Sequence, residues 1–253
     1  MDRLLKRAAA AVTAGLIMIS SGIGAYAEDD VSDDPYADLV LPSGMTASKV
    51  INEINEMGRR NHDDPDHISA AVGIFCGNDV IHTGYYGYTD LENRIPEDEG
   101  TVYEWGSISK TLVWVSVMQL MEQGKLDLDR DVREYLPDGF FRKLSYDDPI
   151  TMMNLMDHNA GWQETMRPIW KTDGDTILPL KDELQAIEPA QIHRPGEVTA
   201  YSNYGAAVAG YVVECVSGMD YCEYVHKNIL EPLGMEHTAI YSDHSDNAYV
   251  YEK

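Results

Sequence analysis

The sequence predicts an α+β fold, with one antiparallel hairpin followed by a body made mostly of helices. Three observations carry this. Residues 68–76 are a β-rich apolar run, Gly77-Asn78 suits a two-residue loop with positive φ at both positions, and residues 79–88 read as the returning strand. Residues 111–123 are apolar almost all round, as in a helix buried in the middle of a domain, and Gly124 is a natural stop. Residues 206–216 form another apolar helix closed by Gly218, and residues 221–230 a third, stopped by Pro232.

The remaining elements fall around these. Residues 46–60 carry Val50, Ile51, Ile54 and Met57 on one helical face, an amphipathic helix ahead of the hairpin. Residues 151–158 read as a short helix ending in Asn159-Ala160-Gly161. Pro195-Gly196 marks a turn before Tyr201-Ser202-Asn203. A lone hairpin is not stable in water, so it must pair with further strands or a helix.

The first 27 residues are expected to lie outside the fold. Arg3, Lys6 and Arg7 precede an apolar run over residues 8–19, and Ala25-Tyr26-Ala27 gives a small-x-small cleavage pattern before Glu28. The run is short for a membrane span of about 20 residues, so it reads as a secretory signal peptide. Residues 28–45 read as an acidic, flexible leader, and residues 46–253 as the domain. The expected location is extracellular or in the cell envelope, with no membrane span once the signal is removed. The expected state is a monomer.

The net charge of −24 at pH 7 argues against nucleic acid or an anionic membrane surface as partner. Three cysteines, Cys76, Cys215 and Cys222, make no disulfide framework in an exported protein. Cys76 and Cys215 sit in apolar runs and are expected to be buried small hydrophobes; Cys215 and Cys222 are near enough in sequence to pair. Two metal-like patterns fail on inspection. In His62-Asp-Asp-Pro-Asp-His67 the proline breaks regular ligand geometry, so a solvated loop is expected. Asp127, Asp129 and Asp131 mimic a calcium loop, but its sixth position is Val132 and its twelfth Asp138.

Chemistry gathers at Trp105-Gly-Ser-Ile-Ser-Lys110. Ser107 stands at the first turn of the buried helix, where free N–H groups favour a developing negative charge. Lys110, at i+3, lies on the same face, and its amine can reach the serine hydroxyl. Burial would lower the lysine pKa and let it take or relay a proton. The same spacing also suits a capping serine followed by a snorkelling lysine, and spacing alone does not choose. Tyr201 suits a general base or acid if cations lower its pKa, and Asn203 can hydrogen-bond a substrate amide. An isolated Tyr-x-Asn also suits a surface turn.

Taken together, these stretches resemble the serine β-lactamase and penicillin-binding family, in the branch of class C β-lactamases, D-Ala-D-Ala carboxypeptidases and related esterases. The resemblance rests on Trp105–Lys110 with its helix and the following Gln-Gly-Lys-Leu-Asp-Leu, on Leu155-Met-Asp-His-Asn-Ala-Gly161, on Pro195-Gly196 leading to Tyr201-Ser-Asn203, and on Glu231-Pro-Leu-Gly-Met235. It implies a β-lactamase/transpeptidase-like fold in which Ser107 forms an acyl-enzyme. Lys110 and Tyr201 would share the proton handling, and Asn203 would position the substrate amide. The Ser107 backbone N–H would supply half of an oxyanion hole. His158 would be structural, and no metal or cofactor is required. The substrate would be a small molecule or a cell-wall peptide: a β-lactam, a D-Ala-D-Ala-type peptide or a small ester.

The family's third element, Lys-Thr-Gly or His-Thr-Gly on a C-terminal strand, finds no match after Tyr201. His237-Thr238-Ala239 directly follows Pro-Leu-Gly-Met, and His82-Thr83-Gly84 falls inside the hairpin and reads as ordinary strand. The expectation is therefore a truncated chain with an incomplete sheet, an exposed hairpin edge and one oxyanion donor missing, a loss of about 10²–10³ in rate. A non-catalytic penicillin-binding-like sensor or binding module is the alternative that this pattern leaves.

Overall fold

The computed structural model describes residues 36, 38–62, 69–164, 178–241 and 245–251. The expected signal peptide, residues 28–35 of the leader and the loop residues 63–67 lie outside the described residues. The chain forms two compact units, one ending at Tyr103 and the other spanning Glu104–Glu252.

The first unit is a helix on a small sheet. α1 (Ala47–His62) follows a turn in which the Leu41 N–H donates to Met45 O at 2.8 Å and the Ala47 N–H to Leu39 O at 2.8 Å. The end of the acidic leader is thus tied to the start of the helix. β1 (Ser69–Cys76) pairs antiparallel with β2 (Asp79–Asp90) through the expected Gly77-Asn78 turn, with an irregularity between Ile74 and Phe75. His82, Thr83 and Gly84 lie in β2 opposite Ile74, Gly73 and Val72, as ordinary strand. β3 (Ile95–Pro96), which the sequence did not announce, pairs with the far side of β2, so the order is β1-β2-β3. Among the described residues β1 is bonded on one side only. α1 packs on β2, where Tyr86 donates its hydroxyl to Asn55 Oδ1 at 2.6 Å. Gly58 makes the room: a Cβ there would fall 2.2 Å from the Tyr86 ring.

The second unit is helical. A 3₁₀ turn (Gly106–Ser109) leads into α2 (Lys110–Glu122). α3 (Met152–Met156), α4 (Leu180–Ile187) and α5 (Asn203–Ser217) follow, then α6 (Tyr221–Val225). α2 and α5 pack side by side, and α3, α4 and α6 also pack on α5. α5 is buried almost all round, from Tyr204 to Val213, because its small residues let neighbours approach closely. Val117, Leu120, Val208, Val212 and Val213 are fully buried and each contributes roughly 1.5–3 kcal/mol.

Two buried polar side chains stitch the irregular segment after α2 to the one after α4. The Glu188 carboxylate accepts the N–H groups of Arg142 and Lys143, each at 2.9 Å. Gln191 accepts the N–H groups of Ser145 and Tyr146 and donates to Ala160 O.

Two expectations need correction. Pro232 does not stop the last long helix. α6 widens into a π turn (His226–Leu230) and continues into α7 (Glu231–Leu233), with Pro232 in its first turn, where a missing N–H costs little; the stop is Gly234, at φ +65°. Nor are Cys76 and Cys215 buried. Cys76 ends its strand at the hairpin turn and Cys215 faces outward on the last turn of α5, so an apolar neighbourhood in sequence did not mean an inward face. All three cysteines are free, Cys215 and Cys222 included. Asp131, part of the pattern set aside as a calcium loop, is a cap: its carboxylate accepts the Arg133 N–H at 3.0 Å.

A carboxylate clip fastens the segment before α8 (Ala248–Tyr251). Asp246, whose side chain is 6% exposed, meets His226 Nε2 at 2.5 Å and accepts the N–H groups of Ile240 at 2.7 Å and Tyr241 at 3.1 Å. Desolvation pushes its pKa up, but these hydrogen bonds outweigh that and hold it below the ordinary carboxylate value. A carboxyl depressed by folding contributes stability above its unfolded pKa of about 3.9 and loses it as pH falls through the folded value. Asp246→Asn should therefore lower stability to urea by about 2–4 kcal/mol at pH 7. The gap from the unsubstituted protein should shrink as the titration is repeated toward pH 3.

Candidate active site

Ser107 lies in the 3₁₀ turn ahead of α2, and its side chain is exposed. Lys110 is the first residue of α2 and is half-buried, less enclosed than the sequence suggested. Its Nζ donates to Ser107 Oγ at 3.0 Å, the i+3 contact that the spacing implied. Tyr201 and Asn203 stand at the start of α5, where Ser202 caps the helix by accepting the Gly205 N–H at 2.9 Å. Because α2 and α5 are packed together with their first residues at the same end, these pairs meet. The Tyr201 hydroxyl donates to Ser107 Oγ at 2.8 Å, and Lys110 Nζ donates to Asn203 Oδ1 at 2.7 Å. Lys110 Nζ also lies 5.1 Å from the Tyr201 ring centroid. All four residues singled out in the sequence are brought together.

Desolvation pushes the Tyr201 phenol upward. Hydrogen bonding to Lys110 and Ser107, together with the lysine charge, outweighs it, and the pKa lies below its ordinary value. A half-exposed phenol with a cation at hand is a group that can release and regain a proton.

The support beneath Tyr201 comes from the loop after α3. Thr151 and Asn154 form a capping box at the start of that helix, and Asn154 Nδ2 donates to Asn159 Oδ1 at 2.8 Å. His158 takes φ +54°, uncommon for a residue with a side chain. In that conformation its carbonyl accepts the Ala200 N–H at 2.8 Å and its Nδ1 accepts the Ser202 N–H at 3.1 Å. Its ring lies 4.5 Å from that of Tyr201. Burial and the nearby Lys110 charge hold its pKa below the ordinary value, consistent with a neutral ring that accepts. Asn159 O adds a bond from the Gly196 N–H, so the residues flanking Tyr201 are held by one loop.

One participant was not legible in the sequence. Glu164, half-buried, accepts the Asn203 N–H at 2.9 Å and Asn203 Nδ2 at 3.0 Å. It lies 39 residues before Asn203 in the chain, and no local spacing rule links the two. Asn203, expected to be free for a substrate amide, is thus bonded at both ends of its side chain. A cavity of about 430 Å³, mostly apolar, opens beside Lys110, Glu164 and Asn203 between α2, α4 and α5. Among the described residues, no cluster of His, Cys, Asp and Glu could hold a metal ion.

Residues 54–252 match the Beta-lactamase family over most of the chain. This chain belongs to the beta-lactamase family. It is 26% identical over 201 residues to the putative penicillin-binding protein PbpX of Bacillus subtilis (strain 168), across 79% of this chain and 46% of that one. It is 30% identical over 184 residues to a beta-lactamase of Providencia stuartii, across 72% of this chain and 44% of that one. The solved structure of EstCE1, described as a hydrolase with promiscuous acyltransferase activity, superposes with a TM-score of 0.65 at 25% identity, covering 74% of this chain and 52% of its own. The chain spans about half the length of the relatives it matches. The fold is that of the β-lactamases and transpeptidases, with a three-stranded sheet present.

The stretch His237-Thr238-Ala239 carries no strand. His237 stacks on Tyr249 at 3.9 Å, and Thr238 O accepts from Asn247. The family landmark that does matter to the site is Gly161, at φ +88°, whose carbonyl accepts the N–H groups of Ile192 and His193. A Cβ there would fall 2.0 Å from His193 O, against fixed backbone. Gly161→Ala should cost at least about 2 kcal/mol in urea unfolding. An unchanged midpoint would show that the loop relaxes without strain.

Proposed function

We propose that this chain carries the acyl-enzyme centre of a serine hydrolase, with Ser107 as nucleophile. The observation that supports it best is the convergence on Ser107 Oγ of two proton-handling groups from different helices, Lys110 at 3.0 Å and Tyr201 at 2.8 Å. A capping serine with a snorkelling lysine has no need of a tyrosine from 94 residues away.

In the proposed reaction Tyr201, as phenolate beside the Lys110 ammonium, takes the Ser107 proton. Serine oxygen bonds to the substrate carbonyl carbon. The Ser107 N–H, in the first turn where such groups lack helical partners, faces the developing oxyanion. The bond to the leaving amine or alcohol breaks as Tyr201 returns the proton to it. Water, giving a proton to Tyr201, then bonds to the acyl carbon; the bond to Ser107 Oγ breaks, the acid leaves, and Tyr201 returns the proton to the serine. Suitable substrates share an activated or well-held carbonyl: β-lactams, D-Ala-D-Ala-type peptides and small esters. Residues 1–27 would direct export, which would place the protein beside cell-wall peptides. Among the described residues no helix is long and apolar enough to cross a membrane.

Incubation with a penicillin, followed by mass spectrometry of the proteolysed chain, should find a penicilloyl adduct on Ser107, absent from Ser107→Ala. An adduct elsewhere, or none on the chain and none on a longer version carrying the remaining family length, would sink this reading. If Tyr201 is the proton acceptor, acylation should fall as pH drops through the Tyr201 pKa, because only the phenolate accepts. The apparent pKa of that limb should lie below about 10. Tyr201→Phe should lower the acylation rate about 10²–10⁴-fold and abolish the limb.

A further inference from the structure

The Asn203 side chain has one acceptor and two donors on a single amide. Its oxygen faces the Lys110 ammonium at 2.7 Å and its nitrogen faces the Glu164 carboxylate at 3.0 Å. Turning the amide over would set its N–H groups against a cation and its oxygen against an anion. The two charges therefore fix its orientation, which otherwise would rest on weak preferences. Glu164 makes a second bond, at 2.9 Å, to the backbone N–H of the same residue. That N–H opens α5, where a carboxylate is electrostatically favoured. One carboxylate thus grips Asn203 by main chain and side chain together.

From this we infer that Glu164 is a positioning residue for the serine centre: by holding the Asn203 amide it keeps the amide oxygen on Lys110, and so keeps the lysine beside Ser107 and Tyr201. The inference rests on the acyl-enzyme reading for its catalytic meaning, but the grip itself does not. Lys110 Nζ bonds to Ser107 Oγ and Asn203 Oδ1. If the amide swings, the long lysine side chain loses its contact on the half-buried side, Asn203 Oδ1 at 2.7 Å. Its remaining contacts are then Ser107 and Tyr201, both exposed groups.

Two roles for Glu164 make opposite predictions at Tyr201. The groups that bear on that phenol are Lys110, Ser107, His158 and Glu164 itself. The Glu164 charge acts directly to raise the Tyr201 pKa, but more weakly than Lys110 and Ser107, whose contacts lower it. If Glu164 matters only through its charge, neutralising it lowers the Tyr201 pKa. If it holds Asn203 and thereby Lys110, neutralising it lets the lysine depart and raises the Tyr201 pKa.

The test uses the full chain with Glu164→Gln, which keeps size but turns one acceptor oxygen into a donor facing another donor. Glu164→Ala is the second variant, and circular dichroism confirms that each is folded. Tyrosine ring-labelled NMR follows the Tyr201 titration, and the Asn203 side-chain amide signals report the grip. A fluorescent penicillin gives the acylation rate at saturation and the half-saturating concentration. The expected result is a shifted Asn203 amide signal and a higher Tyr201 midpoint. The saturated acylation rate should fall about 10–100-fold, with half-saturation changed less than about threefold. An unmoved or lowered Tyr201 midpoint, or an unchanged acylation rate at saturation, overturns the positioning role. If neither the unsubstituted chain nor a longer version carrying the remaining family length takes label but the NMR shifts appear, the hydrolase reading falls and the grip stands. Labelling with no NMR shift gives the reverse.

Discussion

The packing of α2 against the deeply buried α5 is the constraint on which the second unit depends. Both are apolar around most of their circumference, and they pack with each other while α3, α4 and α6 pack on α5. A helix with only one buried stripe can slide or roll at modest cost. α5, buried almost all round from Tyr204 to Val213, cannot, because any shift opens cavities or clashes on several sides at once; α2 is held more narrowly, by the buried stripe of Leu112, Val113, Ser116, Val117 and Leu120. Ser116, the buried polar group of α2, turns its hydroxyl back to Leu112 O at 2.8 Å and so asks nothing of its neighbours. The first residues of the two helices are consequently held in fixed relation. That is how exposed polar groups such as Ser107 and Tyr201 keep hydrogen-bond distances without being buried themselves.

The same constraint explains what the loops must do. Once α5 is fixed, the chain just before it can still approach Ser107 in many ways. The His158 loop removes that freedom by accepting three main-chain N–H groups, that of Gly196 on Asn159 O, that of Ala200 on His158 O and that of Ser202 on the His158 ring, from a backbone conformation that few side-chain-bearing residues adopt. Strain of this kind persists only where surrounding contacts over-determine it. Here Gly161 packs on the His193 carbonyl, and the buried Gln191 amide donates to Ala160 O. Rigid helices set the position of the centre, and a strained, well-bonded loop sets the direction of the tyrosine.

How much of this was legible follows from where each contact lies in the chain. Ser107 and Lys110 meet through helical periodicity, so spacing exposed them. Tyr201 and Asn203 were legible as a turn before an apolar helix, and their meeting with Ser107 through the family resemblance. The hairpin was legible because its turn chemistry is local. Glu164 was not, because its partner is 39 residues away and a glutamate after Gly-Trp-Gln has no signature of its own. β3 is two residues long and pairs by proximity, not by pattern. Pro232 misled because a π turn had already rearranged the hydrogen bonds that proline would break. Cys76 and Cys215 misled because apolar neighbours in sequence say little about which face a strand end or a helix's last turn presents.

The chain's charge sharpens the electrostatic question at the centre. A net charge of −24 works against any phenolate, since every nearby anion raises the cost of making another. Yet the Tyr201 pKa lies below its ordinary value. The two facts fit because range differs. Exposed charges farther than about 8 Å are largely screened at physiological salt. A lysine in direct contact is not, and it adds a hydrogen bond that only the charged partner makes strong. The acidic surface therefore sets solubility and the company the protein keeps, while chemistry at Ser107 is governed by groups within one or two contacts. Even Glu164, an anion close to the centre, touches neither Ser107 nor Tyr201; it meets them through Asn203, whose amide presents nitrogen to the carboxylate and oxygen to the lysine. An interposed amide converts an unfavourable neighbour of a phenolate into a fixed support for the cation that favours it.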